Sequence, residues 1–140
     1  MIETGTIIFR LLLAAVIGGM FGIEREFKHK AAGLQTNILV ALGSTLTMIV
    51  SVQFDIDPAR IAAGVVTGIG FLGAGLIIHG RAEIQGITTA ATIWLVSAIG
   101  LAIGIGYYSA AIISAVIAIV VLYFLSSYKT ENWSIFKSRK

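Results

Sequence analysis

No charged residue interrupts the 18 positions from Ile61 to Ile78, yet five of them are glycine: Gly64, Gly68, Gly70, Gly73 and Gly75. In water each glycine inside a helix costs about 1 kcal/mol relative to alanine. A chain that places glycine so freely within an apolar run needs close backbone contact there, and a membrane supplies it through neighbouring helices. The stretch is therefore expected to be a tightly packed transmembrane helix at the centre of a small helical bundle. A charged turn, Asp57, Pro58 and Arg60, leads into it.

Four further apolar segments accompany it: Ile7 to Ile23, Leu34 to Phe54, Ile87 to Ile105 and Tyr108 to Tyr128. Each approaches the ~20 residues that cross a hydrocarbon core of ~30 Å. Only 12% of the 140 residues are charged, against about 25% in a soluble domain. The expected fold is an all-α membrane protein, a bundle of five transmembrane helices in residues 1–128, followed by a short basic tail, 129–140. The chain begins without a basic segment and carries Glu3, so the first apolar run is expected to remain as an anchor. No cysteine is present, which excludes disulfides and thiol catalysis.

Charge placement sets the expected orientation. Arg25, Lys28 and Lys30 follow the first segment, Arg81 follows the third, and Lys129, Lys137, Arg139 and Lys140 follow the fifth. These are eight of the ten basic residues, and they share one side if all five segments span. The positive-inside rule then puts the N-terminus outside and the C-terminus in the cytoplasm. Phe54, Tyr107, Tyr108, Tyr123 and Tyr128 lie at segment ends, as in an interfacial aromatic belt.

Gly68, Gly70 and Gly73 spell GxGxxG, but no strand–helix alternation surrounds them, so helix packing is favoured over dinucleotide binding. Small residues recur four apart at Gly18 and Gly22, Gly64 and Gly68, and Gly100 and Gly104. Such pairs let backbones approach, within one chain or between copies. Arg10 either snorkels to the surface or joins a buried node with an external acid, Asp57 being one candidate. Glu24, Arg25 and Glu26 form either a solvated loop or a polar clamp against Thr36, Asn37 and the third loop. Asn37 is placed to cap the second helix or to bond across helices. Thr88 is read as an N-cap of the fourth span, with Thr89 and Thr92 behind it and an anion-attracting helix end beside it. Thr67 is expected to face the interior of the third span and to bond back to its own helix. His29 and His79 have no metal-ligand spacing and are read as solvated.

The runs Gly22-Ile23-Glu24-Arg25-Glu26, Ala32-Gly33-Leu34-Gln35-Thr36-Asn37, Asp57-Pro58-Ala59-Arg60-Ile61-Ala62-Ala63, Gly68-Ile69-Gly70-Phe71-Leu72-Gly73-Ala74-Gly75 and Gly86-Ile87-Thr88-Thr89-Ala90-Ala91-Thr92-Ile93-Trp94 together resemble the MgtC/SapB family. The resemblance implies a bacterial inner-membrane protein linked to magnesium limitation and, in pathogens, to survival inside host cells. It implies a regulator that binds other membrane proteins, the rotary ATP synthase among them; a cation transporter and further copies of the chain are the other expected partners. Many members have a soluble C-terminal domain beyond the fifth span, so functions using it are in doubt for a sequence ending at Lys140. Some have asparagine where Thr88 stands here. The competing expectation is an oligomeric transporter or channel for Mg²⁺ or another cation, with Asp55, Asp57, Glu24 and Glu26 as its hard oxygen donors. An enzyme is not expected, since no nucleophile–base pair or metal cluster is visible. Nor is a cofactor or a nucleic-acid partner.

Overall fold

The computed structural model describes residues 2–54, 57–79 and 84–137. Asp55, Arg81, Arg139 and Lys140 lie outside them, as do the side chains of His79, Tyr128, Lys129 and Lys137. Five helices follow one another: α1 (Thr4–Phe27), α2 (Leu34–Ser51), α3 (Pro58–Gly75), α4 (Ile87–Ile105) and α5 (Tyr108–Lys137). Between α3 and α4, Ile78–His79 and Ile84–Gln85 pair as a two-residue antiparallel ribbon.

The boundaries follow from local chemistry. Pro58 occupies the first turn of α3, where its missing N–H is not needed. Gly86 and Gly106 bracket α4 at φ 93° and 99°, left-handed values that cost glycine nothing. The α1 helix runs beyond its apolar core at both ends. Glu24, Arg25 and Glu26 thus belong to the helix rather than to the loop after it.

Backbones meet where glycine allows it. A Cβ added to Gly18 would lie 2.7 Å from the Asn37 carbonyl oxygen, and one at Gly22 would lie 2.5 Å from the Leu34 Cα. These contacts set α1 antiparallel to α2. A Cβ at Gly100 would lie 2.6 Å from the Ala41 oxygen, and one at Gly104 2.7 Å from that of Thr45. These contacts lay α4 alongside α2 in the same direction. A polar seam reinforces that second contact: Ser44 and Ser97 hydroxyls are 2.9 Å apart, and the Thr45 hydroxyl donates to the Gly100 carbonyl at 2.8 Å. Arg10 reaches Gly104 and Tyr108, while Lys28 reaches Leu122. The helix ends therefore gather at two levels, with successive helices running in opposite directions.

The centre of the bundle is α4, not α3. Half of the apolar window of α4 is buried, against 11% for α3. Among the described residues, nothing from a neighbouring element comes within 4 Å of a Cβ added at Gly64, Gly68, Gly70 or Gly75, while one at Gly73 meets Ala90. The central packing expected of the glycine-rich stretch is thus overturned for this chain. Glycine spacing states that a backbone is approachable, not that a segment of the same chain approaches it.

Large apolar side chains face outward along α1, at Ile8, Leu12, Val16, Met20 and Ile23, while Ser44, Thr45, Ser51, Thr89, Thr92 and Ser97 are buried. Water would oppose this distribution, because exposed apolar patches of this extent are rare on soluble monomers. Hydrocarbon favours it. Among the described residues, four helices are long and apolar enough to cross a membrane, and α5 adds a shorter apolar stretch, Tyr108–Phe124.

Candidate functional site

Two charged nodes tie the helices together, one at each level of the bundle. At the first, Arg10 donates from Nε to the Tyr108 hydroxyl at 3.0 Å and from Nη1 to the Gly104 carbonyl at 2.6 Å. Its guanidinium carbon lies 5.9 Å from the Tyr108 ring centroid, and Phe9 meets the same ring edge-on at 5.6 Å. Arg10 thus serves the C-terminal end of α4, where unpaired carbonyls and the helix dipole attract a cation. Gly106 leaves room for it, since a Cβ there would stand 3.0 Å from Nη2. Asp57, an expected partner, is exposed at the head of α3 with φ 43° and gives the helix no side-chain cap.

Arg10→Met is expected to destabilise the fold by about 1.5–3 kcal/mol, the range for hydrogen bonds to a charged group. Arg10→Lys should recover only part, because an ammonium lacks the planar fork that reaches two acceptors. Thermal unfolding in detergent reads both, and unchanged midpoints would refute the bracing role.

At the opposite level, Glu24 pairs with Arg25 through Oε2 and with Lys28 through Oε1, the latter at 2.6 Å. Arg25 is 2% exposed. Lys28 also donates to the Leu122 carbonyl of α5 at 2.8 Å. Glu26 accepts the Leu34 N–H at 3.0 Å and so caps α2. The Asn37 amide donates to the carbonyls of Ala32 and Gly33, both at 2.9 Å, fastening the turn between α1 and α2. Asn37 Oδ1 is buried with no donor among the described residues. The motif meets the start of α2 through the Leu34 backbone instead of through the expected Thr36 or Asn37, and the Asn37 amide serves the turn carbonyls.

With two cations on one carboxylate, Glu24, Arg25 and Lys28 sum to a net charge of +1. Hard cations seek carboxylates without such compensation. Among the described residues no group of three His, Cys, Asp or Glu is close enough to hold a metal ion.

Other sequence-predicted residues fall elsewhere. Arg60 is exposed on the first turn of α3. The N-cap of α4 is Gly86, so Thr88 sits inside the first turn and caps nothing. Thr89 is buried, and the Thr92 hydroxyl donates to the Thr88 carbonyl at 2.8 Å. Thr67 bonds back to Ala63 at 3.0 Å as expected, but from an exposed face rather than the interior. His29 is exposed. Tyr108, read only as a belt aromatic, is an Arg10 partner; Lys28, read only as an orientation charge, is a link to α5. The only sequence signal for either was position: each lies at the rim of an apolar run.

Inward small and polar residues, outward large apolar ones and charged braces at two levels define a polytopic helical membrane protein. The MgtC family matches residues 11–130. Over 129 residues the chain is 46% identical to YhiD of Escherichia coli (strain K12), a protein provisionally named a magnesium transporter; the match covers 85% of this chain and 60% of YhiD. It is 44% identical over 110 residues to protein MgtC of Brucella abortus (strain 2308), covering 77% and 46%. It is 43% identical over 115 residues to an uncharacterized Synechocystis protein, slr0014, covering 81% and 49%. The chain belongs to the MgtC family, and it spans roughly half to three fifths of the length of these relatives. No solved structure matches it significantly.

Proposed function

We propose that this chain is a non-enzymatic regulator in the bacterial inner membrane, linked to Mg²⁺ homeostasis, that acts by binding other membrane proteins through α3. The names of YhiD and MgtC support the link to magnesium. The carrying observation is the unfilled face of α3. At 100° per residue, Gly64, Gly68, Phe71 and Gly75 fall on one side. Phe71 is 82% exposed, and among the described residues nothing beyond the local helix backbone stands within 4 Å of a Cβ at the three glycines. A projecting ring between glycine hollows suits a facing helix better than fluid lipid, because small residues let backbones close up. The basic-residue asymmetry supports an outside N-terminus and a cytoplasmic C-terminus. Partners in this reading include an ATP synthase or cation-transporter subunit and further copies of the chain.

Phe71→Ala is expected to leave thermal stability within about 0.5 kcal/mol, as for substitutions clear of packed neighbours, and Gly68→Leu to raise it by up to about 1 kcal/mol through helix propensity, while both abolish crosslinked partner capture from native membranes. Wild-type crosslinking that recovers no specific protein would end this reading. The provisional name of YhiD favours a second one, an oligomeric transporter of Mg²⁺ or another cation. Saturable flux in liposomes, lost in Asp57→Asn, would establish it. The compensated charge on Glu24 weighs against it.

A further inference from the structure

A groove of about 460 Å³ runs between α1, α4 and α5, within the range of ligand pockets, ~300–1,000 Å³. Partner binding through α3 makes no use of it. Its walls are apolar, built from Phe21, Ala91, Leu95, Ile117, Ala118 and Val121, and the Thr92 hydroxyl on its lining is engaged by the Thr88 carbonyl. One end behaves differently. There Leu122 holds Lys28 through its carbonyl, and Glu24, Arg25, Glu26, Lys28 and Lys30 together carry a net charge of +1. Thr88, also on the lining, lies in the first turn of α4, whose N-cap Gly86 contributes no side-chain bond. The first N–H groups of α4 therefore emerge at the same level as Lys28, adding partial positive charge.

An apolar slot ending in surplus positive charge has the layout of a phospholipid: hydrocarbon first, phosphate after it. A transmembrane helix about 10 Å across would fit barely one turn into this volume, so a single hydrocarbon tail is the better occupant. We propose that the groove binds one acyl chain of an anionic glycerophospholipid, with its phosphate at Lys28 and the first turn of α4. Zwitterionic lipids place the same tail but bring no net charge to the basic end. The assignment holds whether or not α3 binds a partner.

The test is native mass spectrometry of the detergent-purified chain with equal amounts of dioleoyl phosphatidylglycerol and dioleoyl phosphatidylcholine. Phosphatidylglycerol is expected to be retained about fivefold more, the effect of one basic residue near an anionic headgroup. Lys28→Gln should remove that preference, Lys28→Arg should restore it, and Ser114→Phe, which fills the groove, should lower retention of both lipids. Equal retention by the wild type, or a preference unchanged in Lys28→Gln, overturns the proposal. A second measurement needs no variant: phosphatidylglycerol with a photoreactive tail should label peptides of α4 and α5 that line the groove. Labelling spread evenly over all outward faces, including that of α3, overturns it equally.

Discussion

Arg25→Met is expected to lower stability by about 3–5 kcal/mol, the cost of leaving one member of a buried ion pair without its partner. Arg25 is almost wholly enclosed and Glu24 is 13% exposed, so little water reaches either. Lys28 can still hold Glu24 Oε1, but Oε2 loses its only ion-pair partner among the described residues. Replacing both, as Glu24→Leu with Arg25→Met, should cost less than the sum of the single changes, since neither charge is then stranded. Reversible unfolding in mixed micelles measures all three. Single variants within 1 kcal/mol of wild type would mean that the pair is hydrated and holds nothing together.

Gly100→Ala should be the other severe change, and its sign is the test. Helix propensity alone predicts a gain of about 1 kcal/mol on replacing a helical glycine by alanine. Packing predicts the reverse. The new Cβ would lie 2.6 Å from the Ala41 oxygen and 2.8 Å from the Ser44 Cβ. It would also strain the bond that Thr45 makes to the Gly100 carbonyl. Overpacking typically costs 1–3 kcal/mol, and here much of the obstacle is backbone, so a loss near the upper end of that range is expected. Gly64→Ala, facing open space, should follow propensity instead and gain stability. Loss on α4 and gain on α3, measured as unfolding midpoints, would confirm which glycines hold helices together. A gain at both would remove the α2–α4 contact from the account.

That contrast marks what could be read from the sequence and what could not. Apolar length placed α4 from Ile87 to Ile105, because its interior carries no charge. The same reasoning misjudged α3, since Gly64 and Gly68 share the spacing of Gly100 and Gly104 yet face nothing in this chain. A four-residue interval describes one surface of a contact and leaves the other unnamed. Thr88 looked like a cap because threonine favours that position, but the left-handed Gly86 two residues earlier already turns the chain. Arg10 was legible as a charge that either reaches the surface or finds a partner in the bundle. Its actual partners are the Tyr108 hydroxyl and the Gly104 carbonyl, and a backbone carbonyl has no letter of its own in a sequence.

Lys28, the C-cap of α1, follows Arg10 by eighteen positions, a rise of about 27 Å. That is close to the ~30 Å thickness of hydrocarbon in a typical bilayer. The two braces thus act as a gauge fixed to the width of the surrounding lipid. A thicker membrane must tilt the bundle or draw one charge toward oil, and a thinner one must deform around it. Reconstitution in lipids of graded chain length should therefore give a stability maximum near the matching width.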